Sequence, residues 1–280
     1  MMNSCMKNND KIIRSFGIAR PYNKVYLIKT NDERIETTLN RIFGPYICND
    51  VLLPGKPIEV EYDGNGFKVM VDNVVIRTEK PIEFIMNYMY EDTSISNGIT
   101  AFHGAAIEYQ DSAILFLGRT GAGKTTLTYY LVANGYKYVT DDCILIDNKT
   151  MRVIPYSMPL HLRAGGVEVL KNLGVNVSNL EECQYSEQEE RFVECVESTD
   201  KHNLPIEHIF FIERNPYGSL ISDISIFDRI KKTISSLFVP CTIDHELLAV
   251  ISGISLCNCH ILNCSDLQSV LRCLNVKGEK

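Results

Sequence analysis

The run Gly118-Arg119-Thr120-Gly121-Ala122-Gly123-Lys124-Thr125 satisfies the pattern G-x4-G-K-[ST] in full. Glycines let successive backbone N–H groups curl around phosphate oxygens, and a helix that starts at once adds the positive end of its dipole. Lysine at this place is a point charge for β- and γ-phosphate oxygens, and the hydroxyl after it can ligate Mg²⁺. Gly118 through Thr126 are therefore expected to bind a nucleotide, with Lys124 on phosphate and Thr125 on the metal. Such a pattern arises by chance at roughly the per-cent level in chains this long, so its surroundings decide. The apolar run Ala113 to Leu117 precedes it, and Leu127, Tyr130 and Leu131 follow on one helix face. That strand-then-helix setting is what the chemistry requires.

Asp141-Asp142 falls 17 residues after Lys124, at the end of the next expected strand. A helix of about eleven residues returns the chain to the phosphate end of the sheet. One carboxylate there can hold a Mg²⁺ shell, and a second can accept a proton from an attacking hydroxyl. Neighbouring side chains on extended backbone point to opposite sides, which favours divided roles. His103 lies in Phe102-His103-Gly104-Ala105-Ala106, on the strand before the phosphate-loop strand. A tight turn at Gln110-Asp111 makes those strands neighbours and would bring His103 beside the acidic pair, though a lone strand histidine is often purely structural.

The elements that must position these residues form an α/β core of mixed sheet and helices from 96 to 280, preceded by a small α+β domain over 1–95. In the first domain Asn31-Asp32 offers a helix N-cap for a helix to Phe43. Asp63-Gly64-Asn65-Gly66 signals a hairpin between Ile58–Tyr62 and Phe67–Val71, and Pro81 suits a first helical turn. The polar stretch from Glu91 to Asn97 reads as the boundary. Beyond it, strands are expected at Phe102–Tyr109, Ala113–Leu117, Tyr136–Val139, Cys143–Ile146, Arg152–Ile154 and Ile209–Ile212. Helices are expected over Lys124–Asn134, around Val167–Leu173 and over Asp266–Leu274. Residues 181–200 hold eight Asp or Glu and Arg191, as in a solvated helix face or loop, or a surface for a basic partner.

Composition limits the function classes. The 280 residues carry 28 Lys plus Arg against 35 Asp plus Glu, a net charge of −7, which disfavours a sequence-independent nucleic-acid binder. With 45% hydrophobic residues the chain can bury a sizeable core. No eighteen-residue apolar run marks a membrane span, and the N-terminus lacks an apolar signal region. A cytoplasmic chain is expected, with most of its ten cysteines reduced. Cys257-x-Cys259-His260 followed by Cys264 lacks paired C-x2-C units, and Cys257, Cys259 and Ile261 alternate as one strand face would.

Phe102 to Ala106, Gly118 to Thr125 and Thr140-Asp141-Asp142, in this order, resemble the catalytic domain of HPr kinase/phosphorylase, whose phosphate-loop core is shared with phosphoenolpyruvate carboxykinase. The resemblance covers roughly residues 99–165. It implies ATP- and Mg²⁺-dependent phosphorylation of a serine hydroxyl on a protein or peptide. Carried over, Lys124 and Thr125 bind phosphate and metal, Asp141 is the general base, Asp142 supports the metal, and His103 bonds to the pair. The family's Glu-Ile-Arg-Gly motif meets only His161-Leu162-Arg163-Ala164-Gly165 here, which keeps an arginine and lacks the glutamate. Arg163 is accordingly the first candidate to neutralise the transferring phosphoryl group, and Arg119 the second. The signature associated with phosphorolysis is not recognisable, and the first domain is shorter than the family's regulatory domain. The layout also resembles HPr-kinase-like enzymes of peptide biosynthetic clusters, including those that phosphorylate the C-terminal serine of lasso-peptide precursors. Two other classes stay open: a small-molecule kinase, for instance on free serine, and a non-catalytic nucleotide-binding regulator. A homo-oligomer is compatible with either.

Overall fold

The computed structural model describes residues 14–20, 24–48, 54–95, 98–186, 189–215, 220–238 and 244–276. The chain divides into two compact units, 1–86 with 183–190, and 87–182 with 191–280.

In the first unit, strands β1 (Arg14–Arg20), β2 (Lys24–Thr30), β3 (Ile47–Cys48), β4 (Lys56–Tyr62), β5 (Phe67–Val71) and β6 (Val74–Thr78) form one sheet in the order β3-β1-β2-β4-β5-β6. Helix α1 (Glu33–Phe43) starts where expected, because the Asp32 carboxylate accepts the Arg34 N–H at 2.9 Å. Its buried Ile35, Leu39 and Ile42 recur at helical spacing. The β4–β5 hairpin closes with Tyr62 opposite Phe67 around the Asp63–Gly66 turn. Helix α2 (Pro81–Ile95) runs on through Glu91 to Ile95, so most of the polar stretch there is helical.

The second unit is built on β7 (Ile99–Tyr109), β8 (Ser112–Leu117), β9 (Lys137–Thr140), β10 (Cys143–Asp147), β11 (Arg152–Ile154), β15 (Leu204–Glu213), β16 (Ile221–Asp223) and β17 (Cys259–Asn263). Their order is β11-β10-β7-β8-β15-β17-β16, with β9 also on β7. β8, β15 and β17 are mutually parallel, whereas β7 is antiparallel to β8, β9 and β10, so the sheet is mixed. The central strands read as unbroken apolar runs because both faces are covered. Ile114, Phe116, Phe210 and Ile212 pack with α3 (Lys124–Ala133), α4 (Ala164–Asn172) and α7 (Leu267–Val276). Ala113, Leu115, Leu117, Ile209 and Phe211 face the opposite layer with Val250 and Ile254 of α6 (His245–Leu256).

Two local expectations change. Residues 181–186 and 189–194 are not a helix face or loop but two strands, β13 (Glu181–Ser186) and β14 (Glu189–Glu194), and β14 pairs with β12 (Leu160–Leu162). The alternation of buried Cys183 and Tyr185 with exposed Glu182 and Gln184 carries this strand period, which the acidic composition masks. Cys257 caps α6 instead of lying on the strand, while Cys259 is buried on β17. Burial pushes both thiols upward, and the Cys259 thiol reaches about 11. No helix among the described residues is long and apolar enough to cross a membrane.

Candidate active site

Strand register brings the sequence motifs together. β7 sits between β8 and β10, with Gly104 opposite Leu117 and His103 opposite Cys143. The loop that leaves β8 and the acidic pair that precedes β10 therefore meet on either side of His103. Gly104 is required there. A Cβ at this position would lie 2.6 Å from Ile144 Cδ1 and 2.8 Å from the Phe116 carbonyl, wedging apart the strands that carry the two motifs. The Gly104 N–H also donates to the Asp142 carbonyl at 3.3 Å.

Lys124 opens α3 and is almost completely buried. Its ammonium donates to the Gly118 carbonyl at 2.8 Å, to the Arg119 carbonyl at 3.3 Å and to His103 Nε2 at 3.1 Å. Since a lysine ammonium only donates, Nε2 must be the acceptor and the imidazole proton sits on Nδ1. Nδ1 then donates to the Asp142 carbonyl at 3.1 Å. His103 is kept neutral by its surroundings: burial, then the Lys124 charge, holds its pKa below the ordinary value against the pull of Asp142. Burial likewise lowers Lys124, opposed by Asp141 and Asp142.

The two carboxylates differ sharply. Asp141 is 1% exposed, and neither of its oxygens makes a well-formed hydrogen bond. Burial and the neighbouring Asp142 charge push it up to about 7, while the Thr125 hydroxyl and Lys124 act in the other direction. Asp142 turns its side chain toward His161, whose Nδ1 lies 3.5 Å from Oδ2. Burial would raise Asp142, yet the His161 hydrogen bond and charge, with the Arg191 charge, hold it well below the carboxylate range. The side chains part because Asp142 adopts left-handed backbone at φ 62°, not because the backbone is extended.

Around this centre, Arg119, Thr120, Gly121 and Ala122 line a cavity of about 520 Å³ together with Arg214 and Lys232. Thr120 Oγ1 is 3.5 Å from His103 Nε2. Gly123 has φ 102°, and a Cβ there would meet Arg214 Nη2 at 2.7 Å. Thr126 is buried against Gly166 of α4. Arg163 is the exposed N-cap residue of α4, two positions beyond His161.

Three residues at the site lay outside the sequence reading of its chemistry. His161 pairs with Asp142 from β12, and Arg191 reaches the same charge from β14, which β12 binds with His161 opposite Val193. Arg214 follows β15, and its Nε donates to the Ala122 carbonyl at 3.2 Å. No spacing signal linked them, since each arrives through strand pairing across tens of residues. The one available hint was that His161 and Arg163 flank the position of the family's metal-site motif.

The site suits a hard cation bound with phosphate. The Asp142 carboxylate, held ionised, and the Thr125 hydroxyl beside neighbouring Asp141 are hard oxygen donors of the kind required, since Mg²⁺ is held by one or two carboxylates plus phosphate oxygens. No group of three or more His, Cys, Asp or Glu with metal-binding geometry occurs among the described residues.

No protein-family model matches the chain. It is 24% identical over 113 residues to HPr kinase/phosphorylase of Bacillus licheniformis, covering 40% of this chain and 34% of that one. It is 32% identical over 60 residues to HPr kinase/phosphorylase of Bacillus pumilus, covering 21% and 19%. The match thus spans about a third or less of these relatives' length. The solved HPr(Ser) kinase/phosphatase from Coxiella burnetii is similar over 44% of this chain and 65% of that chain, with 16% identity and a TM-score of 0.26. The chain thus resembles HPr kinase/phosphorylase in sequence over part of its length, and its core is a mixed α/β fold that carries a phosphate-loop sequence.

Proposed function

We propose that the protein transfers the γ-phosphoryl group of ATP to a serine or threonine hydroxyl of a peptide or protein. The observation that carries this reading is the junction of the phosphate loop with the acidic pair. The Lys124 ammonium touches His103, His103 holds the Asp142 backbone, and Asp141 is buried beside Thr125.

In this reading the backbone N–H groups of Gly118 to Thr125 cradle the phosphates. Lys124 exchanges its contacts with the Gly118 and Arg119 carbonyls for phosphate oxygens. Asp141, raised toward neutrality, accepts the hydroxyl proton, because a base works best with a pKa near the working pH. Asp142 stays ionised and, with Thr125, would hold Mg²⁺. When bound, the metal would supply charge neutralisation to the phosphates. Arg163, Arg119 and Arg214 are the arginines available to the transferring group, and positioning with charge stabilisation supplies most of the rate.

Incubation with γ-labelled ATP, candidate peptides and free amino acids, followed by mass spectrometry, tests the proposal. The expected result is label on a peptide hydroxyl, including the C-terminal serine of a lasso-peptide precursor as the narrowest case. Lys124→Ala should lose transfer while keeping the fold. Label on free serine alone would reassign the acceptor, and full transfer by Lys124→Ala would end the kinase reading.

A further inference from the structure

The C-terminal end of α3 borders a second cavity. Ala133 ends the helix that Lys124 opens, so at 1.5 Å per residue this end stands about 13 Å from the phosphate loop. The cavity holds about 420 Å³, enough for a small organic ligand. Two helices terminate at it: Asn134, which caps α3, and Leu173, which caps α4, both line it. The carbonyl end of a helix carries roughly half a negative charge. Glu194, the last residue of β14, adds a carboxylate to the same wall.

Among the described residues nothing offsets that charge. No Lys, Arg or His lines the cavity, and Glu194 makes no ion pair. Lys171, in the last turn of α4, is exposed and stands outside the lining. The partners of Glu194 are neutral donors: the Tyr129 hydroxyl to Oε2, and Asn179 Nδ2 to Oε1 at 3.4 Å. Burial, then the Glu194 hydrogen bond and charge, push the Tyr129 hydroxyl well above its ordinary pKa. It therefore stays a donor and leaves the carboxylate charge unmatched. The rest of the wall is apolar, with Val132, Leu173, Val175 and Val196, and the aromatic rings of Tyr129 and Tyr130 attract cations. A hard metal ion takes several oxygen ligands, whereas Glu194 is the sole acid in the described lining. An organic cation needs one counter-charge and an apolar wall, and both are present.

We propose that this cavity binds a primary ammonium carried on a short aliphatic stem, its head on Glu194 and the helix-end carbonyls and its stem along the valines and Leu173. Three donors on a compact head suit a carboxylate flanked by carbonyl groups. The same chemistry is offered by a free alkylamine and by a lysine side chain of a polypeptide. The site stands apart from the kinase reading, since it shares no residue with the cavity at the phosphate loop.

NMR titration of the full chain, methyl-labelled at valine, with n-pentylamine tests it. The methyl signals of Val132, Val175 and Val196 should move saturably. The uncharged analogue 1-pentanol should bind about tenfold or more weakly. Glu194→Gln keeps an acceptor for Tyr129 and removes the charge, so it should weaken pentylamine about tenfold or more while leaving pentanol unchanged. An unchanged melting curve verifies that this variant folds, and the amine-to-alcohol comparison needs no variant at all. Nα-acetyl-lysine N-methylamide separates the sources: tighter binding than pentylamine supports a polypeptide lysine as ligand, weaker binding a free amine. Shifts confined to other valines, equal binding of amine and alcohol, or equal pentylamine binding by wild type and Glu194→Gln overturns the proposal. Nucleotide and acceptor are absent throughout, so the outcome does not depend on phosphoryl transfer.

Discussion

Asp141→Asn should stabilise the protein while abolishing phosphoryl transfer. A carboxylate raised from 3.8 to about 7 by burial and the Asp142 charge corresponds to on the order of 4 kcal/mol between its neutral and ionised forms. Because its folded pKa exceeds its unfolded one, the folded chain binds the extra proton between those values. Stability attributable to Asp141 is therefore greatest below the unfolded value, falls as pH rises from about 4 to 7, and is at its lowest above 7. Asparagine removes the charge but buries an amide that needs partners, at a cost of about 1–3 kcal/mol. The net expectation at pH 8 is a gain of about 1–3 kcal/mol, or a melting midpoint higher by roughly 3–8 °C for a unit of this size. Thermal denaturation of wild type and variant across pH 5 to 8 reads this directly, and the difference should shrink toward acid. Wild-type kcat/KM should fall below about pH 7 as the base protonates. A variant that is less stable at pH 8, or a stability difference independent of pH, would refute the assignment of an uncompensated buried charge to Asp141. Loss of transfer in Asp142→Asn but not in Asp141→Asn would exchange the roles of base and metal support.

Gly123→Ala should weaken nucleotide binding measured by fluorescent-nucleotide titration. The left-handed φ of 102° is unfavourable for a Cβ by about 1–2 kcal/mol, and the added atom displaces the Arg214 guanidinium from the loop. His103→Ala should lower kcat more than it alters nucleotide affinity. It removes the link between the Lys124 ammonium and the Asp142 carbonyl, a bridge of 3.1 Å on either side, while leaving the loop carbonyl contacts of Lys124 in place. Steady-state kinetics with a separate affinity measurement divides the two effects.

The local pieces of this site were legible in the sequence because each is governed by short-range chemistry. A glycine-rich turn between an apolar strand and an amphipathic helix specifies its own backbone, and the spacing from Lys124 to Asp141 fits one helix and one short strand. The neighbourhood of β7 and β8 followed from the two-residue turn at Gln110-Asp111, both with positive φ. Strand period in 181–186 was hidden by polarity, since Glu182 and Gln184 on exposed alternate positions lower the apolar signal without changing the pattern. Helices α5 (Ile226–Ser235) and α6 carried no expectation. α5 leaves its isoleucines in solvent, and α6 sits inside a run of apolar residues whose length fits strand or helix equally.

What no local rule contains is the charge balance around Asp142. Its ionised state depends on His161 and Arg191, which stand on two strands paired with one another and separated from Asp142 by 19 and 49 residues. Asp141, one residue away, lacks that compensation and is driven toward the neutral form instead. Adjacent residues of one type are thus given opposite protonation behaviour by what the tertiary fold puts against each side chain. Under the proposed kinase reading, that division supplies one carboxylate kept anionic for a cation and one poised to take a proton. It follows that altering His161 should act on the pair as a whole. Without its partner Asp142 loses the strongest influence holding it ionised, and the proton of the pair is redistributed toward it, which frees Asp141 to ionise at lower pH. The acid limb of the pH–rate profile of His161→Ala should then move to lower pH, an outcome that a merely structural role for this histidine would not produce.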